Sequence, residues 1–146
     1  MAKFETSTVI NRPLEEVFAL LSNAENDPKW QSVTIEAKKT SDGPIGVGTT
    51  WRTVSRFLGR RIESESEITE YELNRKFAFK TKSGPIPFEG RMTFERVEGG
   101  TRINLKGEAE IGGFFKLAEP LVVSIGKRQL EADLANLKDL MEAHAL

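Results

Sequence analysis

The C-terminal part of the sequence repeats apolar residues at the spacing of one helix face. Leu130, Leu134, Leu137 and Met141 follow one another at intervals of 4, 3 and 4 residues, which is typical of a packed amphipathic helix. Between residues 33 and 111 the apolar positions instead alternate with a period of two and are interrupted by glycine-containing turns. This alternation is typical of consecutive strands. Strands joined by tight turns and followed by one long helix predict an α+β fold with an antiparallel sheet.

The remaining elements follow from local signals. Residues 3–10 are rich in β-favouring side chains and predict an opening strand. Pro13 suits the first turn of a helix, and that helix buries a stripe formed by Leu14, Val17, Phe18 and Leu21. One or two short helices are therefore expected before the second strand. The long helix is predicted over residues 114–143, with a bend or rotation of its buried face at Gly126.

A first hairpin is predicted with Gly59-Arg60 as its two-residue turn. One face then pairs Phe57 with Ile62, Ser55 with Ser64, Thr53 with Ser66, and Trp51 with Ile68. On the other face Arg56 meets Glu63 and Arg52 meets Glu67, and opposite charges across a ladder are favourable. The basic cluster of Arg56, Arg60 and Arg61 is thus interpreted as a solvated turn.

A second hairpin is predicted around Gly99-Gly100. Its inward face pairs Phe94 with Leu105, Met92 with Gly107, Gly90 with Ala109, and Phe88 with Ile111, while Arg91 meets Glu108 outside. The unfavourable pair Glu89–Glu110 predicts that the ladder splays or bulges near that end. Between the hairpins Phe77, Phe79 and Thr81 mark one more strand, and residues 84–87, with two prolines, predict a loop.

Composition excludes several classes of function. A chain of 146 residues predicts one domain spanning 1–146. Cysteine is absent and the only histidine is His144, so thiolate chemistry is excluded and we expect neither a metal site nor a cofactor. The formal charge of −1 gives no electrostatic drive towards nucleic acid. No segment is apolar enough for a membrane span, and no signal-peptide core is present, so a cytoplasmic location is expected.

An ordered set of short motifs resembles the START-like or helix-grip (SRPBCC) superfamily, in its polyketide cyclase/dehydratase-like branch. The matching segments, which span nearly the whole chain, are Ile10 to Phe18, Pro28-Lys29-Trp30, Gly46 to Thr49, Glu67 to Tyr71, Gly99 to Arg102, and Leu137 to Glu142. The resemblance implies a curved seven-stranded antiparallel sheet wrapped around the last helix, with a ligand cavity between them. Its members include binding and transport proteins, aromatic cyclases and chaperone-ATPase activators, so the fold leaves function open.

The predicted inward face combines bulky rims with a middle of small and hydroxyl-bearing residues. Such a face is typical of a small-molecule cavity, although small residues would equally let the helix dock closely on the sheet. In the same way, the hydroxyls would bond either a ligand or one another across the strands. The predicted cavity is lined by Trp30, Trp51, Thr53, Ser55, Ser64, Ser66, Phe77, Phe79, Phe88, Gly90, Met92, Gly107, Phe115, Leu117, Leu121 and Ile125.

The sequence therefore favours a protein that binds an apolar or amphipathic small molecule, lipid-, polyketide- or aromatic-like, as a monomer or weak homodimer. A polyketide cyclase or dehydratase using the same cavity is the alternative. Its acid or base would have to come from Tyr71, Glu70, Arg96, Gln129 or Asp133. A protein-binding module akin to the chaperone-ATPase activators is the third possibility.

Overall fold

The alternating residues form one sheet and the helical repeat forms the long helix that crosses it. The computed structural model describes residues 2–110 and 118–146. The elements are β1 (Ala2–Ile10), α1 (Leu14–Leu21), a 3₁₀ helix (Ala24–Lys29), β2 (Thr34–Lys39), β3 (Thr50–Phe57), β4 (Arg60–Glu72), β5 (Lys76–Ser83), β6 (Phe88–Val97), β7 (Gly100–Ala109) and α2 (Glu119–Glu142). The seven strands are antiparallel in the order β1-β7-β6-β5-β4-β3-β2. This is the predicted helix-grip architecture.

The short helices form where the sequence indicates. Pro13 precedes α1 in an extended conformation, with Glu15 and Glu16 in the first turn, where negative charge is favourable. The side chain of Asn23 accepts a hydrogen bond from the Glu25 N–H and so caps the 3₁₀ helix. Pro120 lies in the first turn of α2, a position that proline tolerates.

The register of the first hairpin differs from the prediction. Thr53 pairs with Ser64 and Trp51 with Ser66, because the turn is Leu58-Gly59, with both residues at positive φ (51° and 77°). Such a turn matches the twist of the flanking strands, and leucine in this conformation is uncommon. Pairing moves by two residues, so the same side chains stay on the inward face.

The outer-face charge pairs predicted from the wrong register are consequently wrong as well. Arg56 lies opposite Arg61, and Arg52 lies opposite Glu65. Glu63 still pairs with arginines on this face, because it accepts hydrogen bonds from both Arg52 and Arg61 at 3.0 Å.

The second hairpin is displaced in the same manner. Its turn is Glu98-Gly99, so Gly90 pairs with Gly107 and Met92 with Leu105. Phe94 pairs with Ile103, Phe88 with Ala109, Arg91 with Lys106, and Glu89 with Glu108. The ladder runs from Phe88 to Val97 without a shift of register, so the predicted splay is absent from this part of the sheet.

Gly100 begins β7 instead of completing the preceding turn. Its φ is 134°, and a Cβ there would collide with the Ile10 carbonyl oxygen. The next residue, Thr101, is fully buried and its hydroxyl donates to the Arg12 carbonyl oxygen at 2.9 Å. The β6–β7 hairpin therefore holds the end of β1 through close backbone contact, which requires glycine.

The main core lies where α1 and the rear of α2 meet the concave face. Its aromatic centre is Phe18, whose ring lies 5.0 Å from that of Phe94 and 6.1 Å from that of Phe77. Leu134, Leu137 and Met141 of α2 belong to the same cluster. The buried residues of α2 are Val122 in its front half and Asp133, Leu134, Leu137 and Met141 in its rear half. The bend or rotation at Gly126 stays a prediction. No described helix is long and apolar enough to cross a membrane.

Candidate functional site

The concave face is divided into a closed half and a more open half. The closed half contains Trp30, Phe77 and Met92. Their exposed fractions are only 3%, 6% and 5%, and all three belong to the main core cluster. These three predicted cavity residues therefore pack against the protein's own core. Trp51, also buried at 3%, lies outside that cluster, at the edge of the more open half.

The more open half carries the hydroxyl patch, which we define as Thr53, Ser55, Ser64 and Ser66. All four are half-buried, and the corrected register keeps them on the inward face of β3 and β4. Thr53 and Ser64 bond one another, with their oxygens 2.8 Å apart. The Ser55 and Ser66 hydroxyls have no hydrogen-bond partner among the described residues, so they are free to bond a ligand or water.

The glycine pair, Gly90 and Gly107, does not leave the empty volume that the sequence suggested. A Cβ on Gly90 would lie 2.7 Å from Cζ of Phe79, and one on Gly107 would lie 2.6 Å from Cζ of Phe88. The two rings stack on one another, with centroids 5.8 Å apart and an interplanar angle of 28°. We call Phe79 and Phe88 the aromatic cover. Both are half-buried, so the cover presents ring surface above the glycine pair.

The front half of α2 faces the sheet differently from the prediction. Val122 is the buried residue at 4% exposure, whereas Leu121 is 61% exposed and Ile125 is half-buried. A Cβ on Gly126 would lie 3.9 Å from the ring of Phe4, so the helix approaches β1 closely there. The predicted cavity residues Phe115 and Leu117 lie outside the described part of the chain.

A buried carboxylate fastens α2 to the segment that precedes β2. Asp133, 6% exposed, accepts hydrogen bonds from the backbone N–H of Ser32 at 3.2 Å and from its hydroxyl at 2.9 Å. Gln129 bonds the same two residues. One turn further along, the Asn136 amide donates to the Trp30 carbonyl oxygen at 3.2 Å. These bonds explain Asp133 as a structural anchor for one side of the site.

Asp27 is a titratable group that no sequence pattern singled out. Burial raises the pKa of its carboxyl from 3.8 to about 8, and the neighbouring Trp30 side chain partly offsets the shift. The Trp30 indole N–H is itself buried without a hydrogen-bond partner of normal geometry among the described residues. A protonated Asp27 therefore lies beside the Trp30 indole N–H at the end of the 3₁₀ helix, a contact that no sequence pattern indicated.

The other acid–base candidates do not converge. Tyr71 packs edge-on against Phe18 in the core, with ring centroids 5.6 Å apart. Glu70 is paired with Arg91 on the opposite face of the sheet, and Arg96 is paired with Glu15.

A separate groove of about 580 Å³ opens at the far end, where the β1–α1 loop meets the end of α2. It contains Arg12, which bonds Glu16 at 2.6 Å and lies 3.0 Å from Nε2 of His144. It also contains Arg96, paired as described above. Both guanidinium groups are already paired with carboxylates, so they are less available to bind an anionic ligand in this groove.

The sequence matches the family described as "Polyketide cyclase / dehydrase and lipid transport" over residues 1–142. The chain belongs to this family. The resemblance drawn from the short motifs is thereby confirmed, and the seven-stranded sheet gripping α2 is the fold it implied. No curated protein sequence is significantly similar to this chain.

Solved structures of this family's fold share little sequence with the chain. A protein from Thermus thermophilus superposes with a TM-score of 0.84 at 21% identity, covering 99% of both chains. A Deinococcus radiodurans protein gives 0.74 at 15% identity, again covering 99% of each. An aromatase/cyclase from a Streptomyces species gives 0.77 at 12% identity, covering 99% of this chain and 95% of its own. At these identities the similarity shows the fold alone.

Proposed function

We propose that this family member binds an apolar or amphipathic small molecule between α2 and the open half of the concave face. The observation that carries the proposal is the pairing of two unlike surfaces on one face. The aromatic cover offers apolar ring area, and the hydroxyl patch offers the Ser55 and Ser66 oxygens that no described residue bonds. A mostly apolar wall with a few polar groups is typical of small-molecule sites.

Both surfaces are half-buried, unlike the core around Phe18. A half-buried ring or hydroxyl still gains by being covered, because removing apolar area from water contributes about 25 cal/mol per Å². A ligand with an apolar body and one polar edge would cover the rings of Phe79 and Phe88 while bonding Ser66. The proposed lining is the hydroxyl patch and the aromatic cover, with Trp30, Phe77 and Met92 forming the closed end.

The family description names both cyclases or dehydrases and lipid transport. We propose binding rather than turnover because the acid–base candidates are engaged elsewhere. Asp133 is held by Ser32 and Gln129, Tyr71 packs against Phe18 at the margin of the core, and Glu70 faces outward with Arg91.

Native mass spectrometry of the freshly purified protein should reveal a bound molecule, and thermal-shift screening of lipids and hydroxylated aromatics should raise the Tm. Ser66→Leu should abolish the shift by filling the hydroxyl patch. Ser7→Leu is the matched control, because Ser7 lies on the opposite face of the sheet, paired with Asn104 of β7. Ser66→Ala should weaken a hydroxyl-bonded ligand by about two- to tenfold, the value of one hydrogen bond. No bound molecule together with no shift across the panel, or equal shifts for both leucine variants, would contradict the proposal.

A further inference from the structure

The tip of the β3–β4 hairpin, residues 56–61, which we call the arginine tip, concentrates positive charge. Arg56 and Arg61 lie directly opposite one another, and like charges in that position destabilise a ladder. Glu63 is the nearby acid, and it is already bonded by Arg52 and Arg61. The Arg56 guanidinium has no acidic partner among residues 2–110 and 118–146.

The apex of the arginine tip is apolar. Leu58 occupies the first turn position with φ of 51° and is 46% exposed. Asparagine or glycine would suit that backbone better, and a polar side chain would suit the exposure. Both features of the tip therefore lower the stability of the fold: the opposed arginines and the exposed leucine at positive φ. Violations of this kind are expected where a surface has a function.

The arginine tip stands at the end of the sheet where α2 begins. Antiparallel pairing places the β3–β4 turn beside the β5–β6 loop, residues 84–87, at this end. Gly126 of α2 lies near Phe4 at the start of β1, whereas Glu142 bonds Asn11 at the far end. The exposed Leu121 thus belongs to the same end as Leu58.

We propose that the arginine tip docks on an anionic lipid surface, with guanidinium groups on lipid phosphates and Leu58 inserted among the acyl chains. Guanidinium pairs with phosphate through two hydrogen bonds. Single-stranded nucleic acid would offer the same phosphates, but it is bound along a basic groove with aromatic stacking platforms. The arginine tip is instead a single turn whose apex is aliphatic. The proposal does not depend on the concave site holding a ligand.

Vesicle flotation tests this surface directly with the full chain. We expect the protein to float with phosphatidylcholine vesicles containing phosphatidylserine and not with pure phosphatidylcholine, and the binding to weaken as salt screens the charges. Each arginine near an anionic surface is worth about fivefold in partitioning, so Arg56→Gln combined with Arg61→Gln should reduce binding roughly twentyfold. The same double variant should keep or raise the Tm, since it removes the like-charge pair.

The matched control is Arg75→Gln combined with Arg102→Gln, which makes the same change of net charge at the opposite end, where each arginine is paired with a glutamate. It should leave flotation unchanged. Leu58→Asn keeps every charge and suits the turn, so it should lower flotation while raising the Tm. The proposal is overturned if the wild type stays with the unbound fraction, if both double variants lose binding equally, or if Leu58→Asn floats as well as the wild type.

Discussion

The contact between Gly107 and the ring of Phe88 predicts a specific cost for adding one methyl group. In Gly107→Ala the new Cβ would lie 2.6 Å from Cζ of Phe88 and 3.1 Å from the carbonyl oxygen of Glu89. Ordinary van der Waals contact begins at 3.4 Å, so the ring tip must retreat by about 0.8 Å. The neighbouring ring of Phe79 is stacked on it and resists part of that movement.

Two effects of opposite sign set the magnitude. Overpacking a well-packed site costs about 1–3 kcal/mol, whereas replacing a strand glycine by alanine restores about 0.5–1 kcal/mol of backbone entropy. The stacked ring of Phe79 limits how far the ring of Phe88 can move, so the cost should lie near the middle of that range. We expect Gly107→Ala to lower the free energy of unfolding by about 1 kcal/mol, a decrease in Tm of about 2–4 °C for a chain of this size.

Denaturant and thermal unfolding of four proteins provide the test: the wild type, Gly107→Ala, Phe88→Leu and the double variant. Phe88→Leu removes the ring atoms that clash, so the alanine should be neutral or stabilising in that background. Contacting residues normally show coupling energies of about 0.5–3 kcal/mol. The assignment of Phe88 as the cover of Gly107 is refuted if alanine costs the same in both backgrounds, or if it stabilises the wild type.

Two further predictions concern other parts of the structure. Gly126→Ala in α2 should raise the Tm, because helical glycine costs about 1 kcal/mol relative to alanine and the new Cβ would lie 3.9 Å from Phe4; a decrease in thermal melts would show that the helix docks more tightly there. The Asp27 carboxyl holds a proton in the folded state up to about pH 8 that the unfolded chain releases near 3.8. The free energy of unfolding should therefore decrease as pH rises between these values, and Asp27→Asn should flatten that slope; equal slopes in urea titrations would contradict the assignment.

The sequence predicted which face of the sheet each side chain occupies better than it predicted which residues pair across neighbouring strands. Thr53, Ser64, Gly90 and Gly107 all lie inward as expected, because moving a pairing by two residues preserves the alternation. The registers were wrong because glycine was taken as the marker of each turn's position. Leu58 adopts positive φ although leucine rarely does.

The contacts that build the candidate site could not be read from spacing. Gly90 and Gly107 looked like empty volume, but the rings of Phe79 and Phe88 fill it. The proximity of Asp27 to Trp30 similarly depends on how the 3₁₀ helix folds against the core. Both are tertiary packing events, which local sequence patterns do not encode.

The division of the concave face also explains how one small sheet can combine a stable core with a polar site. The cluster around Phe18 joins α1, β5, β6, β7 and the rear of α2, so burial of apolar area is concentrated there. The hydroxyl patch on β3 and β4 lies outside that cluster. Substitutions at Ser55 or Ser66 are therefore expected to change what the protein binds without unfolding it. Truncating Phe18 to alanine would instead lower the free energy of unfolding by about 3–5 kcal/mol. Residues of the hydroxyl patch can therefore be substituted while the core cluster around Phe18 continues to stabilise the fold.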